Sequence, residues 1–151
     1  MNAIQLLEHE HQVAKRAFGQ IRTAGPEDRE PLWAKLRPEL KVHEQMEERA
    51  LYGPVADQAG AKDQTLAQWR ERHHEEVMKA EELIQEIDQL DPDSDEWMDK
   101  VATLQEALEE HIREEEGDIW PRIQQVWDAA KLERAGQEME TLKRELMPRA
   151  A

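Results

Sequence analysis

The sequence predicts an all-α protein, an antiparallel four-helix bundle with a fifth helical segment at the C-terminal end. Three observations predict this class. Helix-forming residues dominate and β-branched residues are few. Apolar residues recur every three or four positions over four stretches of roughly 20 residues. Turn-rich breaks containing Gly, Pro and Asp separate these stretches, and long amphipathic helices with short connections are typical of such bundles.

The first two helices occupy the N-terminal third of the chain. The first is expected from Asn2 to Thr23, and AGPEDREP at 24–31 ends it. The second is expected from Pro31, which suits the first turn of a helix, to Tyr52. Pro38 lies inside the second helix, where it should kink the helix or split it in two. The inward seam of the first helix is Ile4, Leu7, Ala14, Phe18 and Ile21.

The next two helices follow a predicted central loop, GPVADQAGAKDQ at 53–64. The third helix is expected over 65–90 and the fourth over 94–119, with DPDSD between them. Residues 1–121 would therefore form the bundle.

Residues 122–151 are predicted to be a helical extension of the same domain, with Gly136 as a candidate break. The apolar positions of this segment suit two arrangements. It could cover one end of the bundle, or it could pair with a second copy of the chain in a homodimer. The sequence pattern leaves both open.

The composition restricts the partners of the protein. There are 35 acidic and 20 basic residues, giving a net charge of −15, which would repel a nucleic acid and attract cations. The absence of cysteine excludes disulfides and thiolate metal sites. No apolar run is long enough for a membrane helix, and the N-terminal stretch lacks a signal-peptide pattern. We therefore expect a cytoplasmic protein without membrane or nucleic-acid partners.

Ionisable residues interrupt the apolar seams at helical spacing. They are His11 on the first helix, His43 and Glu47 on the second, and His111 and Glu115 on the fourth. Burying an unpaired carboxylate costs several kcal/mol, so several such side chains at similar depth need a shared partner. A metal ion is the simplest partner. Without a metal, the remaining interpretation is a metal-independent helical interaction module.

The two halves of the chain repeat this pattern. HEQMEERALYGP at 43–54 and HIREEEGDIWP at 111–121 each contain H-x-x-x-E, an acidic cluster, an aromatic residue and a proline. A duplicated helix pair would bring the ligands of both halves together about a pseudo-twofold axis. Two metal ions roughly 3.5–4 Å apart, sharing carboxylates, would suit that symmetry.

The third helix carries two adjacent histidines, and only one of them can face the same seam. His73 continues the apolar positions of this helix, so periodicity favours it over His74. Glu44, next to His43, is a further candidate ligand.

The sequence resembles the hemerythrin-like, or HHE cation-binding, family. LLEHEH at 6–11 is similar to its first-helix motif, and the two long motifs at 43–54 and 111–121 resemble its H-x-x-x-E-E…P motif. HEEV at 74–77 resembles its third-helix motif and selects His74 over His73, and we adopt His74 on that basis. The resemblance covers residues 4–121 and implies a four-helix bundle around a non-haem di-iron centre.

The cofactor implied by the resemblance is two Fe ions with an oxo or hydroxo bridge, although the ligand types also suit Zn or Mn. The implied partner is a small diatomic or peroxide ligand (O₂, peroxide or NO), and sensing, detoxification, iron buffering and catalysis all stay open. Oxygen carriers of the family have a further histidine where this chain has Met78, or Val77 if His73 is the ligand, so reversible oxygen storage is not expected. The expected metal ligands are His11, His43, Glu47, His74, His111 and Glu115, with His73 and Glu44 as second candidates.

Overall fold

The structure, a computed structural model, describes residues 1–148. This part of the chain is helical, contains no strand, and confirms the predicted all-α class. In addition to α-helices it contains two π-helical segments, in which the turns are wider. The elements are α1 (Ala3–Thr23), α2 (Pro26–Met46), the first π-segment (Glu47–Tyr52), α3 (Gly53–Ala59), α4 (Gln64–Gln89), α5 (Asp95–Glu114), the second π-segment (Glu115–Ile119), α6 (Trp120–Val126) and α7 (Ala129–Leu146).

Four long helices, α1, α2, α4 and α5, form the predicted bundle. Each packs against two others, in the order α1–α2–α4–α5 and back to α1. Side-chain contacts show that α1 and α5 are antiparallel, because Arg22 bonds Gln105 whereas His11, further back in α1, bonds Glu116, beyond the end of α5. The same relation holds for α4 and α5, where Glu86 meets Lys100 and Glu76 meets His111.

Side-chain caps explain where several helices begin. Asn2 forms a capping box with Gln5 at the start of α1. Asp63, Ser94 and Asp128 accept backbone N–H bonds at the starts of α4, α5 and α7. These caps place the starts of α1, α4 and α5 within a residue of the predicted positions.

The structure corrects the prediction for the second helix. α2 begins at Pro26 rather than Pro31, and it passes through both Pro31 and Pro38 without being split. Each internal proline removes one backbone N–H donor. The helix is retained because Trp33, Leu36 and other residues of one face are buried in the core, and this packing outweighs the lost bonds.

The central loop predicted over 53–64 is wrong for its first half, which forms α3. Pro54 occupies the second position of α3, which continues the first π-segment without a break. The C-terminal segment is also divided differently from the prediction. The break lies at 127–128, between α6 and α7, and Gly136 is inside α7. A Cβ at Gly136 would lie 2.5 Å from the backbone oxygen of Met1, so glycine allows α7 to approach the start of α1.

The C-terminal extension covers the bundle. α7 packs against α1 and α2, and Leu132, Ala135 and Met139 are buried in the shared core. Of the two arrangements left open by the sequence, covering the bundle is thus the one in the structure. A homodimer through this helix stays a prediction, which sedimentation would test. Residues 149–151 lie outside the described part of the chain.

The core consists of two apolar clusters with a polar layer between them. One cluster lies at the end of the bundle that carries α3, α6 and α7, and it includes Leu7, Trp69 and Trp120. The other includes Phe18 and Trp97 at the opposite end. The predicted ligands occupy the layer between. Within residues 1–148, no helix has both the length and the apolar character needed to cross a membrane.

Candidate metal centre

Six ionisable side chains meet in the layer between the two apolar clusters. Each of the four bundle helices contributes one histidine, and the two π-segments contribute one glutamate each. Both carboxylates are fully buried. The six residues are His11, His43, His73, His111, Glu47 and Glu115.

Both glutamates are the first residues of the π-segments. In each segment an N–H bonds the carbonyl five residues earlier, from Gly53 to Glu48 and from Trp120 to Glu115. A proline follows directly after each of these donors, and its missing N–H prevents the next regular helical bond. π-turns inside α-helices occur frequently at functional sites. The repeated motif of the sequence is therefore also a repeated backbone feature.

The Nε2 atoms of all four histidines face the two carboxylates. Because the carboxylate oxygens and ring nitrogens approach to little more than 3 Å, one small volume is surrounded by six donors. The distances from Nε2 to the nearest Oε1 are 3.3 Å for His11–Glu115, 3.2 Å for His43–Glu47, 3.3 Å for His73–Glu47 and 3.1 Å for His111–Glu115.

The donors divide into two overlapping groups. Glu47 belongs to both of them. The histidines form two pairs, since the ring centroids of His11 and His43 are 5.1 Å apart and those of His73 and His111 are 5.0 Å apart. Glu115 contacts one histidine of each pair. This arrangement fits two neighbouring ions with carboxylates between them. The converging groups are Glu47–His73–His111–Glu115 and His11–His43–Glu47.

The outer nitrogen of each histidine faces a second carboxylate. Each outer carboxylate lies on one bundle helix, or on the π-segment that extends it, and contacts the histidine of the next helix around the bundle. The four contacts therefore follow the order α1–α2–α4–α5 and close again at α1. The pairs, with the distance from Nδ1 to the carboxylate oxygen, are Glu10–His43 (2.9 Å), Glu48–His73 (3.4 Å), Glu76–His111 (2.8 Å) and Glu116–His11 (3.0 Å).

The donor chemistry fits a metal. An ionised carboxylate only accepts hydrogen bonds, so Nδ1–H donates outward and the neutral ring directs its Nε2 lone pair to the centre. The buried atoms His11 Nε2, His43 Nε2 and Glu115 Oε1 have no hydrogen-bond partner within residues 1–148. Unpaired buried polar atoms are costly, and a cation would satisfy all three.

Comparison with known proteins identifies the family. Residues 2–123 match the sequence profile of the hemerythrin HHE cation binding domain. The chain belongs to the hemerythrin HHE family. It is similar to the crystal structure of a hemerythrin HHE cation binding domain-containing protein from Mycobacterium kansasii, with a TM-score of 0.78 and 26% identity. That match covers 97% of this chain and 87% of the other.

A more distant relative is a curated protein from Nostoc sp. (strain PCC 7120 / SAG 25.82 / UTEX 2576) named DNA nickase. The two sequences are 21% identical over 150 residues. The match covers 99% of this chain but 41% of the relative, so this chain spans less than half the length of that protein.

Tyr52 links the two shared glutamates of this HHE domain. Its hydroxyl lies 3.2 Å from Glu47 Oε2 and also contacts Glu115 Oε2. Trp120 Nε1 donates to the same hydroxyl oxygen at 2.9 Å. The two aromatic residues that close the repeated motifs thus hold the outer oxygens of both carboxylates, while the inner oxygens face the histidines.

Burial and mutual pairing shift the protonation of the site. Burial would lower the pKa of His43, but Glu47, Glu10 and Glu115 outweigh it and raise that pKa to about 10. Burial would likewise lower the pKa of His73, and Glu47 and Glu48 raise it to about 9. Without a cation, His43 and His73 would therefore be protonated at neutral pH. Metal binding must displace these protons, which couples affinity to pH.

The structure reverses the preference for His74. His73 is buried and lies 3.3 Å from Glu47, whereas the His74 side chain is 64% exposed and contacts Glu48 from outside. The apolar periodicity of α4 therefore identified the inward-facing histidine, His73. The motif resemblance selected the adjacent residue, His74. With His73 inside, the residue four positions later is Val77, so four histidines and two glutamates converge. Their ligation of a metal stays a prediction.

Glu44, the other second candidate, lies outside both converging groups. Its Oε2 atom is buried without a hydrogen-bond partner in the described chain. Burial raises the pKa of this carboxyl to about 8, against the opposing effect of His43 and His73. The geometry makes Glu44 a neighbour of the centre rather than a ligand.

Sequence reasoning missed the outer carboxylates. A usable signal was present, because Glu48 and Glu116 are the second members of the E-E doublets in the two long motifs. Glu10 directly precedes His11, and Glu76 is three residues after His73. These positions looked like solvated helix faces, and only the packing of neighbouring helices turns them toward histidines.

Proposed function

We propose that the centre holds two iron ions and that the pair binds or reacts with a small oxidant: O₂, peroxide or NO. The observation that carries this proposal is the pair of converging donor groups that share Glu47. Each histidine pair would hold one ion. Glu47 and Glu115 would be shared, since each carboxylate contacts a histidine of both pairs.

The donor count leaves room for a ligand. Six protein donors for two ions leave coordination positions open, as in catalytic rather than structural sites. Iron bound here would supply redox electrons and Lewis acidity. Imidazole and carboxylate donors suit Fe, Mn and Zn alike, so the metal must be identified by measurement.

The chain's own residues would prepare the site. The outer carboxylates hold each imidazole in one orientation with Nε2 inward, which raises the basicity of that nitrogen. Tyr52 fixes the outer oxygens of both shared glutamates. Five of the six donors are buried, and the His111 side chain is 13% exposed. This burial limits contact with bulk water and strengthens the electrostatic interactions of the donors.

A cytoplasmic location and a role in sensing, detoxification or iron buffering remain part of the proposal. We do not extend nickase activity to this chain, because its net charge of −15 opposes binding to a phosphate backbone.

The deciding experiment is metal analysis of the protein expressed in iron-supplemented medium, together with its absorption spectrum. We expect about two irons per chain, as two-metal sites require, and near-ultraviolet charge-transfer bands that change when O₂, hydrogen peroxide or NO is added. Zinc in place of iron would indicate a redox-inert structural site. A stable helical protein without metal would instead favour the interaction module.

The adjacent histidines provide a matched control. His73→Ala should lower the metal content per chain and change the spectrum, because it removes a buried donor. His74→Ala should leave both unchanged, because that side chain is exposed. Circular dichroism would show that both variants remain helical. Equal metal content in both would refute the assignment of His73.

A further inference from the structure

A cavity of about 270 Å³ lies beside the centre, between α2, α4 and α5. His43, His73, His111 and Glu47 line the end of the cavity that reaches the centre. From there it follows the three helices away from the π-segments. Apolar side chains form much of the remaining wall: Leu40, Val77, Ala80, Leu83, Ile84 and Leu104.

The cavity is larger than a diatomic molecule or hydrogen peroxide needs. Along α4 its lining runs from His73 to Ile84, a rise of about 16 Å at 1.5 Å per residue. A water molecule takes up about 30 Å³ in the liquid, and apolar cavities of about 150 Å³ bind benzene. The space therefore suits an organic molecule at least as large as benzene.

The charged groups of the cavity select a neutral ligand. Lys79 is the lysine of the lining, and Glu76, Glu110 and Glu114 line the cavity with part of each side chain exposed to solvent. These three carboxylates would repel an anionic ligand entering from solvent.

An unpaired polar atom at the inner end favours a ligand with an oxygen-containing head. Glu44 Oε2 belongs to a lining residue outside both donor groups, is buried, and has no hydrogen-bond partner among residues 1–148. A neutral head that both donates and accepts hydrogen bonds would satisfy this atom. The occupant should therefore combine an apolar body with one small neutral polar end.

We propose that this cavity binds an organic hydroperoxide. Its apolar body would lie along Leu83 and Ile84, and its hydroperoxyl head would lie at His43 and Glu47. The inference rests on the proposed function, since it names the oxidant class of the same centre. Among small oxidants, an organic hydroperoxide is the class that is neutral, carries an oxygen head, and has an apolar body to fill the space.

A second opening provides a control. It measures about 190 Å³ and reaches His11 and His43 from the side of α1 and α7, with Ala14 in its wall. Ala14 and Ala80 are both half-buried alanines on bundle helices that line an opening toward the centre. Replacing either by phenylalanine fills one opening and leaves the other.

The test uses cumyl alcohol, the non-oxidising analogue of cumene hydroperoxide, titrated calorimetrically into the metal-loaded protein. We expect saturable binding, weakened about tenfold or more by Ala80→Phe, which is a loss of about 1.4 kcal/mol. Ala14→Phe should bind as the wild type does. Ala107→Phe, at an exposed position of the same cavity, should also weaken binding and is less disruptive to folding.

A second readout uses the oxidant itself. The concentration of cumene hydroperoxide that half-saturates the spectral change should rise about tenfold in Ala80→Phe, whereas the hydrogen peroxide response should not change. No binding of cumyl alcohol, or equal weakening by Ala14→Phe, would overturn the inference. A protein that holds two irons and responds to hydrogen peroxide but not to the alcohol would defeat this inference alone. A metal-free preparation would defeat the proposed function.

Discussion

The two halves of the bundle supply the same donors but differ in their surroundings. The first half contributes the His11–His43 pair and Glu47, and the second contributes the His73–His111 pair and Glu115. In each half the glutamate starts a π-segment that ends near a proline. The repeated sequence motif thus accounts for the similarity of the two halves.

The difference arises from α7. In the first half, Nζ of Lys143 in α7 lies 2.6 Å from Oε2 of Glu10, the carboxylate that contacts His43. The Glu10 side chain is 13% exposed. In the second half, the corresponding carboxylate is Glu76, which is 38% exposed and lines the larger cavity. The C-terminal extension therefore braces one side of a symmetric centre and leaves the other side more open to ligands.

The largest expected effect comes from removing a shared glutamate. Glu47→Ala and Glu115→Ala should each lose both metals and be destabilised by about 3–5 kcal/mol, because a buried partner of several histidines disappears. Glu47→Ala should be the more severe change, since Glu47 Oε1 lies within 3.8 Å of three histidine nitrogens. Metal analysis and denaturant unfolding measure both effects.

Glu75→Ala, at an exposed position of α4, is the control for these two variants. Retention of two irons in both buried variants would contradict the sharing of the carboxylates.

Metal removal should make stability depend on pH. The pKa values of His43 and His73 are raised in the folded chain, to about 10 and about 9. Their stabilising contributions are present below the unfolded value of about 6.5 and are lost as pH rises through the folded values. The metal-free protein should therefore melt at progressively lower temperature from about pH 7 to pH 10, with the contribution of His73 lost before that of His43.

The metal-loaded protein should show a smaller decline over the same range, because its histidines are already deprotonated. Parallel thermal melts of both forms would measure the difference. Identical pH profiles would mean that the histidines do not carry the protons in the metal-free form.

Loosening α7 should affect the first half selectively. Gly136→Ala places a Cβ 2.5 Å from the Met1 carbonyl and 2.9 Å from the Ala3 nitrogen, and overpacking of this kind costs about 1–3 kcal/mol. Hydrogen exchange should quicken in α7 and the start of α1 but not in α5. Gly19→Ala, where a Cβ meets nothing within 4 Å, is the control.

The smallest effect should come from the lysine that braces Glu10. Lys143→Met keeps much of the side-chain volume and removes the charge. It should weaken the affinity for one metal ion by about tenfold, which is the lower end of the loss found when a hydrogen-bond partner of a metal ligand is replaced. The loss should concern one of the two ions, seen as a biphasic metal titration.

Arg144→Met is the control for this variant, because Arg144 is an exposed neighbour that bonds Thr141. Equal losses in the two variants would mean that net charge, rather than the contact with Glu10, determines the affinity.

Most of the fold and much of the centre could be read from the sequence. Apolar periodicity located the four bundle helices, because a helix must bury one face. The duplicated H-x-x-x-E motif placed His43, Glu47, His111 and Glu115 on buried seams, since residues four apart share a helix face. The position of His11 followed from the same argument. These features depend on local spacing, which the sequence states directly.

Other features depended on contacts between distant segments. His73 and His74 differ by one step of about 100° around the helix, and the correct phase was decided by packing of α4 on its neighbours. The outer carboxylates meet histidines of adjacent helices, and Lys143 meets a residue 133 positions away. α2 passes through two prolines because its buried face compensates for the lost bonds. The sequence by itself thus determined which residues could face the core, and the tertiary structure decided which of them meet, because such meetings depend on how helices pack.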